Sequence, residues 1–193
     1  MTRRGMAVQS HNRVEHFHLI MPAYIFEGRR PEIDETAFVF ENATVIGDVK
    51  VGREVWIGPG AVIRGDYGTV KIGDYTAVED NCVIHARPDE QTRIGMHVTL
   101  GHACVVHTAT IDDWAVIGMG SVISDFASVG EWAAIGEGAV VSSRSQIEAN
   151  SIAVGVPARK IGVTDEQYRS IWTAYKQNYN TFCRRYRKIV KMD

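Results

Sequence analysis

The sequence has no apolar run of the roughly 20 residues a membrane-spanning helix needs, so no membrane is expected as a partner. It has no surplus of charge either. With 21 Lys and Arg against 23 Asp and Glu, the formal net charge is −2, and bulk attraction to nucleic acid is not indicated. Cysteine is scarce: Cys82, Cys104 and Cys183 cannot all pair, which argues against a disulfide framework and for a cytoplasmic chain. Residues 1–20 are polar and lack the apolar middle of a signal peptide. They read as a disordered extension in which His11, His16 and His18 are tag-like, with the fold beginning near Met21.

What is present is a period of six. Ile33, Val39, Val45, Val51, Ile57 and Ile63 form one run, and Ile111, Ile117, Ile123, Val129, Ile135, Val141 and Ile147 form another. Ile72-Val78-Ile84 and Ile94-Leu100-Val106 lie between them. Neither a helix nor an ordinary strand repeats at six, whereas a parallel β-helix does. Two residues before each aliphatic stands a small or β-branched side chain, as at Ala43, Ala61, Thr76, Cys82, Cys104, Ala115 and Ala139, suited to a crowded inner corner. Cys82 and Cys104 thereby read as buried thiols. A β-sandwich would instead show alternation with turns every eight to twelve residues. The length fits one domain, and the fold class is an all-β solenoid over residues 21–160.

Residues 161–193 differ. Gly155-Val156-Pro157 stops the coil, and Thr164-Asp165-Glu166-Gln167 reads as a capping box. Tyr168, Ile171, Trp172, Tyr175, Tyr179, Phe182, Cys183, Tyr186 and Val190 recur at helical spacing. They predict an α-helix packed along the solenoid. Arg184, Arg185, Arg187, Lys188 and Lys191 then read as a solvated helix end.

The repeat also places the polar residues. With three hexapeptides to a coil, residues three repeats apart stack about 4.8 Å apart. The step from Ile63 to Ile72 is nine and that from Ile84 to Ile94 is ten, so loops are expected after residues 64 and 85. Counted by repeats, Arg64, His85 and His107 follow Ile63, Ile84 and Val106 and form one column. His85 and His107 are then close enough to chelate one metal ion. His102 follows Leu100 on another edge, above Asp80, roughly 15–20 Å away. Its imidazole would reach the pair only from another subunit, as in a cyclic trimer. Three imidazoles and an open position suit catalytic Zn2+, with Co2+ and Fe2+ as alternatives. Taken singly, each histidine could be an ordinary corner residue, and His97 reads as surface.

Arg64-Gly65-Asp66, Glu79-Asp80 before His85, Gly101-His102 with His107, Gly155-x-Pro157-Ala158, and Asn178 with Tyr179 resemble the gamma-class carbonic anhydrases of the hexapeptide-repeat superfamily. The match covers about residues 24–190. The resemblance implies a left-handed parallel β-helix and a homotrimer. It implies metal ligands His85 and His107 from one subunit and His102 from its neighbour. It also implies an Arg64–Asp66 interface ion pair, Asp80 near the metal, and Tyr179 reaching the cavity from the helix. Two departures stand beside the site: Tyr67-Gly68-Thr69 carries no acidic residue, and Glu79 replaces the usual Gln, where it could take a proton, dampen the metal, or pair with Arg64. Arg64-Gly65-Asp66-Tyr67-Gly68 looks like the branch associated with carnitine and phenylacetate CoA-ester metabolism. The leading expectation is a zinc-dependent lyase converting CO2 to bicarbonate. The alternatives are a metal-dependent CoA-thioester hydrolase, an acyl-CoA acyltransferase, and a structural or metal-storing trimer.

Overall fold

The computed structural model describes residues 22–190 and 192. The predicted extension with its three histidines, Met21, and Lys191 of the basic helix end lie outside the described residues. The chain is a parallel β-solenoid of about 7 turns with one C-terminal helix. Short strands such as Trp56–Ile57, Ala77–Val78, Thr99–Leu100, Val116–Ile117 and Ala134–Ile135 stack rung on rung in an 8-stranded sheet. The other two faces belong to one 12-stranded sheet, because Thr44–Val51 and Val62–Ile72 run unbroken from one face to the next.

The period of six is the core. Val45, Ile63, Ile84, Val106, Ile123 and Val141 pair in successive rungs, and all are buried. The small column beside them, Ala43, Ala61, Cys82, Cys104, Ser121 and Ala139, is buried too. The Sγ atoms of Cys82 and Cys104 lie 3.6 Å apart as free thiols. Their contact and their burial push the Cys104 pKa up, so it stays protonated.

The interruptions differ from expectation. The nine-residue step is no loop. Val62–Ile72 continues through it as a strand whose pairing with Thr44–Val51 shifts between Gly47 and Val49. Both strands must be glycine there: a Cβ on Gly65 would stand 2.2 Å from Asp48 O, and one on Gly47 would stand 2.4 Å from Gly65 O. The ten-residue step does form a turn, after His85. A third irregularity, the five-residue step from Val106 to Ile111, is absorbed at Thr108, whose φ is +47°.

One corner is built from aromatic residues. Tyr75, His97, Trp114 and Trp132 all have positive φ, costing about 1–2 kcal/mol each in the left-handed region. Their backbone N–H groups thereby reach the carbonyls of Arg53, Asp74, Met96 and Asp113 one rung away, at 2.8 to 3.2 Å. Their rings stack at 4.8, 4.1 and 4.9 Å, within 11° of parallel, and each pair returns about 0.5–1.5 kcal/mol. His97 is therefore not a freely exposed surface residue. It is half-buried between Tyr75 and Trp114.

The helix spans Glu166–Tyr186. Asp165, not Thr164, is its cap and accepts from Tyr168 N at 2.8 Å. Thr164 is buried and donates instead to Trp132 O. Tyr179, Phe182, Cys183 and Tyr186 pack on Phe38, Phe40 and Trp56. Ile171, Tyr175 and Val190 of the predicted stripe are exposed. The basic end is also tied down, with Arg184 on Glu54 and Arg187 on the carbonyls of Glu35 and Ala37.

Lys176 is a buried residue of this helix, on the side facing the solenoid, and its Nζ donates to Thr99 Oγ1 at 3.0 Å and Ala115 O at 3.1 Å. A neutral amine has two N–H donors, which these two acceptors satisfy. Burial lowers the Lys176 pKa to about 7, with only Glu79 opposing. Unfolding therefore takes up a proton between about pH 7 and the ordinary lysine range, so this term makes stability rise with pH across that window. Lys176→Met is expected to raise stability at pH 7, on the order of 1–3 kcal/mol, and to lose that advantage by pH 10. Urea melts of both proteins at the two pH values measure this.

Candidate functional site

Backbone pairing puts Arg64 beside His85 and His85 beside His107. Each histidine closes its strand, Val83–His85 or Val105–His107, so its side chain leaves the sheet at a corner. The side chains then form a chain of six. Arg64 pairs with Asp66 Oδ2, and Asp66 Oδ1 lies 2.9 Å from His85 Nε2. His85 Nδ1 faces His107 Nε2 at 3.1 Å. His107 Nδ1 lies 2.5 Å from Asp125 Oδ1, and Asp125 Oδ2 is 3.0 Å from Arg87. Within the single chain Arg64 and Asp66 already pair, and the interface role that the resemblance gives them concerns a neighbouring copy.

Burial pushes the Asp66 carboxyl up, but the His85 hydrogen bond and the Arg64 charge outweigh it and hold the pKa below the usual range. Asp125 follows the same pattern, with His107 and Arg87 outweighing burial. Both carboxylates therefore accept. Were both imidazoles neutral, their two N–H groups would go to the carboxylates. The facing nitrogens would then hold lone pairs toward each other, which repel unless a proton or a cation bridges them. Two ligands on one tetrahedral zinc, with Zn–N near 2.0–2.1 Å, stand about 3.3 Å apart. The 3.1 Å separation and the carboxylates behind each ring fit a divalent cation.

The other predicted residues gather on a different edge. His102 follows Thr99–Leu100 on the third face, directly above Asp80. Its Nε2 is 3.1 Å from Glu79 Oε2 and its Nδ1 is 3.4 Å from Asp80 Oδ2. Glu79 is buried, accepts from the His102 backbone N–H, and takes a short hydrogen bond from the Tyr179 hydroxyl. Burial and this bond push the Tyr179 pKa up. Glu79 does not pair with Arg64, which engages Asp66. Among the described residues, no group of three or more His, Cys, Asp or Glu within one chain is placed to hold a metal ion.

Arg87 and Asp125 were missing from the sequence reading. Carrying the column count one coil past His107 would have reached Ser124 and Asp125.

No protein-family model matches the chain. Carnitine operon protein CaiE of Escherichia coli K12 is 37% identical over 148 residues, covering 76% of this chain and 76% of CaiE. A Bacillus cereus structure described as a putative acetyltransferase superposes with a TM-score of 0.83 at 36% identity, covering 86% of this chain and 96% of that one. A hexapeptide transferase family protein from Anaplasma phagocytophilum gives a TM-score of 0.81 at 32% identity, covering 85% and 97%. On that identity and coverage, the chain belongs to the hexapeptide-repeat left-handed β-helix family, as a relative of CaiE.

Proposed function

We propose that this protein hydrolyses a CoA thioester with a divalent metal ion held by His85 and His107. The observation that supports it is the head-to-head imidazole pair backed by Asp66 and Asp125. Bound there, the ion supplies a Lewis acid that polarises a carbonyl and brings the pKa of water toward neutrality. Asp66 and Asp125 orient the rings and keep the inner nitrogens free of protons. Arg64 and Arg87 balance the carboxylate charges. In the reaction the oxygen of water bonds to the acyl carbon, the carbon–sulfur bond breaks, and a carboxylic acid and the CoA thiol leave. An acyl-group substrate is supported by the Bacillus cereus relative, which is described as a putative acetyltransferase. None of the relatives named above is described as a carbonic anhydrase, so carbon dioxide hydration loses its place as the first reading.

Acyl transfer is the second reading, and His102 favours it. The buried Glu79 holds Nε2, while the ring stays 46% exposed with Nδ1 held only at 3.4 Å. That is the arrangement of a histidine base turned toward an acceptor. In the hydrolytic reading the same exposed ring is the third metal ligand for a neighbouring copy. A surface for that copy exists: Val62, Val83, Val105, Val122 and Val140 stand in register on the outside of the sheet, two residues before the column of Arg64, His85 and His107. An outward aliphatic ladder of this length is unusual on a solvated face. A homotrimer would bury it and bring His102 of one copy to the pair of another.

Two outcomes test the proposal. Zinc-loaded protein should release free thiol from a panel of acyl-CoA esters, and His107→Ala should lower kcat/KM by about 100-fold or more. Acetyl transfer to an amine that survives complete metal removal and is lost in His102→Asn would install the second reading instead. Val105→Asp with Val122→Asp should convert trimer to monomer by light scattering and lower bound zinc. A wild-type monomer that binds zinc fully would refute the shared site.

A further inference from the structure

The upper end of the six-residue chain lies outside every predicted site. Arg87 sits two residues after His85 in the turn over residues 86–90, and its backbone N–H donates to Thr108 Oγ1 at 2.9 Å. The turn is seated below by Thr69 N on Glu90 O, also at 2.9 Å. Gly68 leaves the room for it, since a Cβ there would stand 2.3 Å from Arg87 O and 2.4 Å from Glu90 O. From this turn the Arg87 guanidinium reaches one oxygen of Asp125, whose other oxygen holds His107 Nδ1. Arg87 therefore ties the backbone after His85 to the ring of His107.

We propose that Asp125 and Arg87 are positioning residues that set the tautomer and aim of His107, and so decide whether the histidine pair is open to a cation. A neutral imidazole carries one N–H. An ionised carboxylate can only accept, so Asp125 keeps that proton on Nδ1 and leaves Nε2 a lone pair toward His85. Arg87 fixes the rotation of the carboxylate by taking its second oxygen. Asn at position 125 could turn its NH2 to Nδ1, which draws the proton to Nε2 and blocks the gap between the rings. Metal-ligating histidines with an altered outer partner typically lose 10–100-fold in metal affinity. The metal half of this inference rests on the proposed function, whereas the tautomer half does not.

The test uses the full-length protein in two states. Nitrogen-15 NMR of the metal-free form reads the His107 tautomer, and zinc competition with a chromogenic chelator reads affinity. The proton is expected on Nδ1 in the wild type, on Nε2 in Asp125→Asn, and back on Nδ1 in Asp125→Glu. Zinc affinity is expected to fall about 10–100-fold in Asp125→Asn and to recover in part in Asp125→Glu. Arg87→Gln, a change at a half-exposed side chain that leaves Asp125 in place, should keep the proton on Nδ1, since the carboxylate still only accepts, and loosen the aim of the ring with a smaller loss of affinity. It also serves as the test if Asp125→Asn does not fold. A neutral wild-type His107 with its one proton on Nε2 and none on Nδ1 overturns the inference. So does an unchanged tautomer with affinity within about twofold in Asp125→Asn, or an affinity within about twofold in Arg87→Gln. A tautomer that switches as expected in a protein that binds no zinc supports the positioning role and removes the metal reading.

Discussion

The register of the parallel ladder is the constraint on which the rest depends. Rungs about 4.8 Å apart are locked by backbone hydrogen bonds and by one buried aliphatic per repeat. A slip of one residue would turn each aliphatic outward, so the register has no near alternative. His85 and His107 meet because they occupy the same position in adjacent rungs. Had either moved by one residue, its ring would have pointed into the core or round the corner. The close passage of Gly47 and Gly65 serves the same end. It lets two long strands turn a corner together and deliver Asp66 to His85.

Two polar clusters result, on two edges of one prism. The Asp66–His85–His107–Asp125 chain is balanced by an arginine at each end. The Glu79–His102–Tyr179 cluster lies partly under the helix, near the buried Lys176. Within a chain they do not join, and a neighbouring copy would have to bring them together. The helix is therefore more than a cover, because Tyr179 holds the carboxylate that aims His102.

Much of this was legible in the sequence because solenoid geometry is nearly one-dimensional. The coil, its aliphatic and small columns, and the stacking of Arg64, His85 and His107 follow from counting. The corners do not, because backbone conformation there is decided by contacts between rungs. Nothing local distinguishes His97 from a surface histidine. Its N–H bond to the Asp74 carbonyl and its stacking between Tyr75 and Trp114 offset its left-handed backbone. The nine-residue step looked like a loop because an extended strand through a corner leaves no mark except its glycines. Lys176 follows the polar pattern of the helix, and only the facing Thr99 and Ala115 acceptors explain its burial. Arg87 and Asp125 meet across a turn whose shape the repeat does not specify.

The helix also acts as a gauge. Arg169 contacts Trp132 and Asn150 near one end of the solenoid, and Arg187 contacts Glu35 and Ala37 near the other. That stretch of helix is about 27 Å long, and the rungs it crosses add up to nearly the same height. One extra coil would demand about three more helical residues. Three residues fall short of a full turn, so the added length would rotate the packing face away from the solenoid. Coil number and helix length are therefore coupled in both length and phase. A change in the count of coils between the two anchor points cannot be accommodated by the helix without remaking the seam.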